Sequence, residues 1–550
     1  MKTLCLAAWA VLAAAAQQQA RPVYTDVTKE SGIAFKHSYG DHHLDNIVEG
    51  TGAGVCMLDY NNDGLLDLYF VTGTWTKGVS DNEGRDLRGK LSNRLYKNLG
   101  GNRFADVTEK AGVDGKGVFG SGCSAADYDN DGLVDLYVLN YGENLLYHNN
   151  GNGTFTDLTR ASGLGDKHWS LSAVWLDYNN DGWLDVYVCN YLKYDEGRLR
   201  DFYAADGYPG PLAYNGEPDL LYRNNGDGTF TDVTKETGVW QPDGRGMSAS
   251  AADFNNDGFL DIWVANDAME THYFENTGKG TFVEKALERN VAYGENGQGV
   301  SSMGPFAGDV NRDGLLDSFV PNLNYCILFM NTAKFVFVDR TVQTGLSQAM
   351  GQYAGWAGIL LDYDNDGWLD LFTTHGDAHH EYVQEDSLMR NKGDGTFEDV
   401  SRLSGRYFFE KYVGRGAAWG DLDNDGDIDL AIVNVNDAPK ILRNDGGNRN
   451  RWLTVEPLLQ FATGSRLAIG ARVTVTSGSL RQIEDVNPVR GYLSQGDGRV
   501  HFGLANQEYA DVEIRWPDGT VQQFPKVKSG RILKYVPETK AAAKTQGVKQ

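Results

Sequence analysis

A nine-residue loop of fixed pattern recurs seven times along this chain: DYNNDGLLD, DYDNDGLVD, DYNNDGWLD, DFNNDGFLD, DVNRDGLLD, DYDNDGWLD and DLDNDGDID, starting at Asp59, Asp127, Asp177, Asp253, Asp309, Asp362 and Asp421. Oxygen side chains at positions one, three, five and nine make the donor set of a hard, flexible cation such as Ca²⁺, which takes six to eight oxygens at about 2.3–2.6 Å. The candidate ligands are Asp59, Asn61, Asp63 and Asp67; Asp127, Asp129, Asp131 and Asp135; Asp177, Asn179, Asp181 and Asp185; Asp253, Asn255, Asp257 and Asp261; Asp309, Asn311, Asp313 and Asp317; Asp362, Asp364, Asp366 and Asp370; Asp421, Asp423, Asp425 and Asp429. Up to seven Ca²⁺ ions are expected. Position six is always glycine, where a sharp turn disfavours a Cβ, and position eight is always Leu, Val or Ile, an apolar anchor into a core.

The pattern is not an EF-hand, which needs a bidentate Glu at position twelve and flanking helices. The residues after position nine, such as LYFV, VYVC and IWVA, are β-branched and aromatic and read as strands. Of the loop ligands 24 are carboxylates, against a formal net charge of −25, so the acidity of the chain resides in these cages. There is no basic stripe to neutralise phosphates, which excludes nucleic acid as a partner.

Residues 1–20 read as a secretory signal peptide: Lys2, the apolar run LCLAAWAVLAAAA, then small and polar residues, with cleavage after Ala16 or Ala20. A signal anchor is the competing reading; no other segment is long and apolar enough to cross a bilayer. The expected location is secreted, periplasmic or on the outer surface. Cys56, Cys123, Cys189 and Cys326 read as small core residues, although an exported chain also permits disulfides, and spacing does not choose among three pairings.

Two signatures travel with the cages: a Leu/Tyr–Asn element ending at Asn98, Asn149, Asn224, Asn276, Asn331, Asn391 and Asn444, and a strand of the type FTDVT at Phe104, Phe155, Phe230, Phe282, Phe337 and Phe397. The seventh copy of the latter is VYTDVTKESGI, 23–33, ahead of the first cage. The unit is therefore four strands, split between the chain ends. The expected fold is all-β: a seven-bladed β-propeller over 23–447, its seventh blade closed by 23–33. A linear solenoid is the rival but gives no reason for the split. Residues 450–537 alternate apolar and polar positions and read as a small β-sandwich-like domain, and 538–550 as a disordered tail.

The cage repeats resemble the FG-GAP/VCBS repeats of integrin α-subunit propellers, in which similar loops bind Ca²⁺. The blocks NRWLTVEP, IGARVTV, GYLSQ, VHFGL and VEIRWPDG resemble the ASPIC/UnbV domain of the cartilage acidic protein family. Vertebrate members carry a cysteine-rich EGF-like module; no cysteine follows Cys326, so the resemblance is to a bacterial-type member.

Strand order puts the cages on one face of the disc and the long insertions 37–52, 72–92, 191–218, 291–305 and 375–387 on the other. Function is expected on that insertion face, since rigid scaffolds carry it on variable loops. Tyr191, Tyr194, Tyr203, Tyr208 and Tyr214 are candidate ligand contacts, as flat amphipathic surfaces, with packing against neighbouring blades as the alternative. His42–His43 and His379–His380 with His375 are weighed as a transition-metal site and read as solvated loop residues. No nucleophile elbow, P-loop or HExxH motif is present, so no catalytic residue is assigned. The expected function is an exported calcium-binding adhesion or ligand-binding module with an extracellular protein or glycan partner; the alternative is a propeller-scaffold polysaccharide lyase or hydrolase.

Overall fold

The computed structural model describes residues 21–115, 117–194, 207–294, 296–323 and 325–537. The candidate signal peptide, Tyr203 and the tail lie outside the described residues. In the first repeat Val55–Leu58 runs into the cage and Asp67–Phe70 leaves it, with Leu58 opposite Asp67; Arg94–Asn98 and Phe104–Asp106 complete an antiparallel sheet of four. Six further sheets repeat this order, their first strands beginning at Phe119, Ser170, Gly246, Phe306, Gly355 and Gly414. The last takes its outer strand from the opposite chain end: Val23–Asp26 pairs with Lys440–Asp445. The first strand of each sheet touches that of the next, and the seventh touches the first, so the sheets stand as blades round one axis.

Sequence explains who stands where. The axial strands FGSGCSAA, GMSASAA and GRGAAWG are rich in Gly, Ala and Ser and wholly buried, because seven strands converge there. The second strands, such as DVYVCN and DIWVAN, carry the large side chains that fill the space between blades. At the rim the Asp-x-Thr of most FTDVT strands forms a relay, with Ser401 in place of Thr in the sixth blade, while the fourth blade has Glu284 and Ala286 there and lacks the hydroxyl. Asp106 accepts from the backbone and hydroxyl of Thr108 at 3.0 and 2.6 Å, and that hydroxyl accepts from Leu95 N; Asp157–Thr159–Leu146 and Asp232–Thr234–Leu221 repeat it.

The C-terminal domain is a sandwich of two four-stranded sheets. Ser465–Leu467, Arg451–Gln460 and Val500–Ala505 form one, with Arg531–Tyr535 joining parallel to Arg451–Gln460; Leu480–Asp485, Arg472–Ser477, Tyr509–Arg515 and Val521–Lys528 form the other. Leu453, Val455, Val473, Val475, Val512 and Ile514 meet in the core between them.

The connection 486–499 does not stay in this domain. It enters the propeller from the cage face and fills the axis. Asn487 Nδ2 donates to Ala251 O, Gly491 N to Pro305 O, Tyr492 Oη to Thr51 O, Met57 N to Gln495 O, and Asp497 N to Trp419 O; the amide of Gln495 brackets Ala125 N and O. Val489 packs with Val174, and the Tyr492 ring lies 5.2 Å from Trp356, so all seven blades are engaged. Two glycines admit the plug: a Cβ on Gly54 would stand 1.8 Å from Leu493 O, and one on Gly304 2.4 Å from Gly491 C.

A plug shared by all blades predicts that propeller and C-terminal domain unfold together. Calorimetry of the full chain is expected to show one transition. Gly54→Ala, an overpacking change against backbone, should lower stability by roughly 1–3 kcal/mol, measured as a shift in denaturant midpoint.

Candidate metal centres and the opposite face

Backbone N–H groups aim every cage. The position-one carboxylate accepts from positions five and six: Asp59 Oδ1 from Asp63 N at 3.0 Å and Oδ2 from Gly64 N at 2.8 Å, and likewise at Asp127, Asp177, Asp253, Asp309, Asp362 and Asp421. The turn needs two left-handed residues, position four at φ 55–63° and the position-six glycine at φ 85–96°. Asn fills position four in six loops and Arg312 in the other; Asn is among the few side chains that tolerate this region.

Position nine is buried in all seven: Asp67, Asp135, Asp185, Asp261, Asp317, Asp370 and Asp429 are at most 1% exposed. Burial pushes the carboxyls of Asp67 and Asp185 up to about 8 and that of Asp135 up to about 7, and it raises the other four well above the carboxylate range. A cation beside them reverses that preference, since it stabilises the ionised form. Where position three is Asp, three carboxylates converge within 4.8 Å: Asp127, Asp129 and Asp135; Asp362, Asp364 and Asp370; Asp421, Asp423 and Asp429. The inward oxygens Asp129 Oδ1, Asp364 Oδ1 and Asp423 Oδ1 are buried and accept no hydrogen bond. A hard cation is the group that fits such orphaned acceptors; bound there, it would supply charge neutralisation and rigidity.

The seven repeated asparagines, read from sequence only as strand ends, carry the ring. Each backbone N–H donates to its own position-nine carboxylate, as Asn149 N does to Asp135 at 2.8 Å. Each side-chain Nδ2 donates, at 2.7–3.0 Å, to the position-two carbonyl of the preceding cage. Asn149 reaches Tyr60, Asn224 Tyr128, Asn276 Tyr178, Asn331 Phe254, Asn391 Val310 and Asn444 Tyr363, and Asn98 closes the circle on Leu422. Position-four side chains add a second set: Asn62, Asn130, Asn256, Asn365 and Asn424 donate to the glycine carbonyl of the next cage.

The C-terminal domain covers this face. Arg515 pairs with Asp253, Arg472 reaches Asp253 O at 2.7 Å, Arg499 reaches Asp421 O at 3.1 Å, and His501 bonds Asn365 at 2.7 Å.

The insertion face departs from the sequence reading. Tyr191, Tyr208 and Tyr214 are buried, so they are packing residues and not a contact surface. Tyr191 donates to Asp267, Tyr208 to Ala378 O, and half-buried Tyr194 packs against the Tyr214 ring at 5.6 Å. The histidines do not gather: His42 bonds Asp86 and His43 pairs with Glu83 on the surface. His375 is buried, not solvated, bonds Glu385 O, and is pushed down to about 4 by desolvation. Exposed aromatic surface comes instead from Trp240, Tyr293, Tyr382 and Phe409, on connections of this face. The four cysteines are buried free thiols. Around the axis Arg415, fully buried, donates to Gly50 O, Gly414 O and Asp377 O and stacks on Trp356 at 3.7 Å. Nearby Glu49 is pushed up to about 9 by burial, with Asp41 and Asp45 adding repulsion.

Comparison with known proteins places these features. The profile described as FG-GAP-like repeat matches residues 59–138, 127–188, 199–264, 253–320 and 362–432, and that described as ASPIC and UnbV matches 462–542. Human cartilage acidic protein 1 is 25% identical over 491 residues, covering 86% of this chain and 60% of its own length. The Xenopus tropicalis protein is 28% identical over 436 residues, covering 73% and 61%. This chain thus spans about three fifths of those relatives. A solved Agrocybe aegerita lectin that recognises non-reducing terminal N-acetylglucosamine matches with a TM-score of 0.39 at 17% identity, over 70% of this chain and 86% of its own, too distant to carry an argument.

Two outcomes test this geometry. Asn149→Ala leaves Tyr60 O and Val134 O buried without a donor and should cost about 1–3 kcal/mol, seen in equilibrium unfolding. Glu49 holds its proton in the folded protein up to about 9, against an ordinary 4.5, so ionisation favours the unfolded chain as pH rises between those values. In excess Ca²⁺, Glu49→Gln should therefore gain stability relative to the parent as pH goes from 5 to 8, and a constant difference across that range would refute the assignment.

Proposed function

Since this chain belongs to the FG-GAP-like repeat family and carries an ASPIC and UnbV domain, we propose that it is an exported, Ca²⁺-stabilised propeller that binds an extracellular protein or glycan on its insertion face. Its ions would be structural. The observation that carries this reading is the position of the cages: every one is tied to its neighbour by an asparagine, and the face they occupy lies beneath the C-terminal domain. A cation there braces adjoining blades and has little access to a macromolecule. The insertion face retains exposed aromatic side chains on its connections, and such rings supply contact area at low entropic cost. Export follows from the signal-peptide reading, and extracellular Ca²⁺ suits weak sites of this kind.

If each site has Kd about 0.1 mM and free Ca²⁺ is about 1 mM, linkage gives roughly 1.4 kcal/mol per site. Chelation is therefore expected to lower Tm by more than about 10 °C, with Ca²⁺ restoring it in preference to Mg²⁺. A glycan and envelope-protein screen in Ca²⁺ should yield a ligand whose binding is lost in Trp240→Ala/Tyr382→Ala with Tm intact. An unchanged melt in EDTA overturns the structural role, and binding indifferent to both substitutions overturns the face.

A further inference from the structure

Between the cage face of the first two blades and the C-terminal domain lies a cleft of about 650 Å³, within the span of small-molecule sites. Both sides contribute apolar wall, Leu58 and Ala126 from the propeller and Leu458, Leu467 and Ile532 from the sandwich, among charged residues of both domains. Arg466 lines it. This side chain is 2% exposed, lies over the Phe461 ring at 5.1 Å, and its Nε and Nη1 are buried and donate to no acceptor.

That is out of character for the domain. Arg472, Arg490, Arg499 and Arg515 are bonded to Asp485, Glu484, Asp497 and Asp253 respectively. Asp127, in the wall beside Arg466, turns its two oxygens to Asp131 N and Gly132 N. A buried guanidinium loses its hydration and recovers it only through acceptors of matching geometry. Here the protein supplies a packed ring, an open cleft and the charge of the nearby cage carboxylates Asp127, Asp177, Asp185 and Asp181, but no hydrogen-bond acceptor for Nε or Nη1. Once the neighbouring cages hold cations, their carboxylates are committed, and the demand for an anion at Arg466 grows.

We propose that this cleft binds a small amphipathic carboxylate, its carboxyl group on Arg466 and its apolar body between Leu58 and Leu467. A monoanion fits better than a phosphate dianion: of the cations that border the cleft, Arg499 is paired with Asp497 and Lys534 with Glu456, which leaves Arg466 as the one without an ion pair, and Asp59, Asp127 and Asp131 also border it. Arginine's donors match carboxylate geometry. The inference does not depend on recognition at the insertion face.

Calorimetric titration of the full Ca²⁺-loaded protein with 4-phenylbutyrate and its uncharged amide tests it. The acid is expected to bind with submillimolar Kd and the amide at least about ten-fold more weakly, the loss of a charge-assisted pair. Arg466→Met should reduce the acid to the amide's level while Tm holds or rises, because an unpaired buried charge gives way to an apolar chain of similar length; Arg466→Lys should be intermediate. Equal binding of acid and amide, or none of the acid up to about 10 mM, overturns the proposal on the parent protein alone. A Tm several degrees lower in Arg466→Met also overturns it, by marking the arginine as structural.

Discussion

A carboxylate with no exposed surface has to be held by donors or by a cation, and this chain buries one at the same point in each of its seven blades. The position-nine aspartate accepts from an asparagine backbone, and that asparagine's side chain grips the preceding blade. The placement of the carboxylate and the pitch of the ring are thus one set of bonds. The cage, the Leu/Tyr–Asn strand and the neighbouring cage form a single polar belt around an otherwise apolar propeller, and each link broken leaves a buried group unsatisfied.

The plug explains why the axis is lined by glycine, alanine and serine. Most propellers have a central channel to fill or to use. Here it is filled by Val489, Tyr492, Leu493 and Gln495 from the following domain, so the domain is anchored through the ring and not only across a surface. The consequence is a division between faces. The cage face carries bracing and an interdomain cleft, while the insertion face keeps its long connections free of the C-terminal domain's arginines.

The all-β fold was legible because its signals are local and repeated: seven loops, seven asparagines, and a four-strand unit whose missing copy stands at the other chain end. Other features were not legible because they depend on tertiary proximity. The donor role of Asn98 toward Leu422, 324 residues away, leaves no mark on its own segment. NPVRGYLSQGDG reads as a polar, glycine-bearing loop, and nothing in its spacing says that Tyr492 and Leu493 are buried in another domain. Tyr191, Tyr208 and Tyr214 misled for the same reason. A glycine-rich loop with aromatic residues has the composition of a recognition surface and of a packed lid alike, and burial alone separates the two.

The seven cages share a sequence but not a charge balance. In three blades the residue before the repeated asparagine pairs with the cage of its own blade. Lys97 pairs with Asp63, His148 with Asp129 and Asp135, and Arg390 with Asp364 and Asp366, while Arg515 reaches Asp253 from the C-terminal domain. A cation entering those cages competes with a side chain already there. In the seventh cage Arg443 turns instead to Asp445, and Asp421, Asp423, Asp425 and Asp429 have no ion-pair partner among the described residues, with Asp427 buried beside them. Asp421, Asp423 and Asp429 converge there with Arg499 bonded to the Asp421 carbonyl and not to a cage carboxylate, and carboxylates so placed repel one another and gain from an ion. The seventh blade is also the one assembled from both chain ends, so a cage whose converging carboxylates have no ion pair among the described residues lies where the ring is joined.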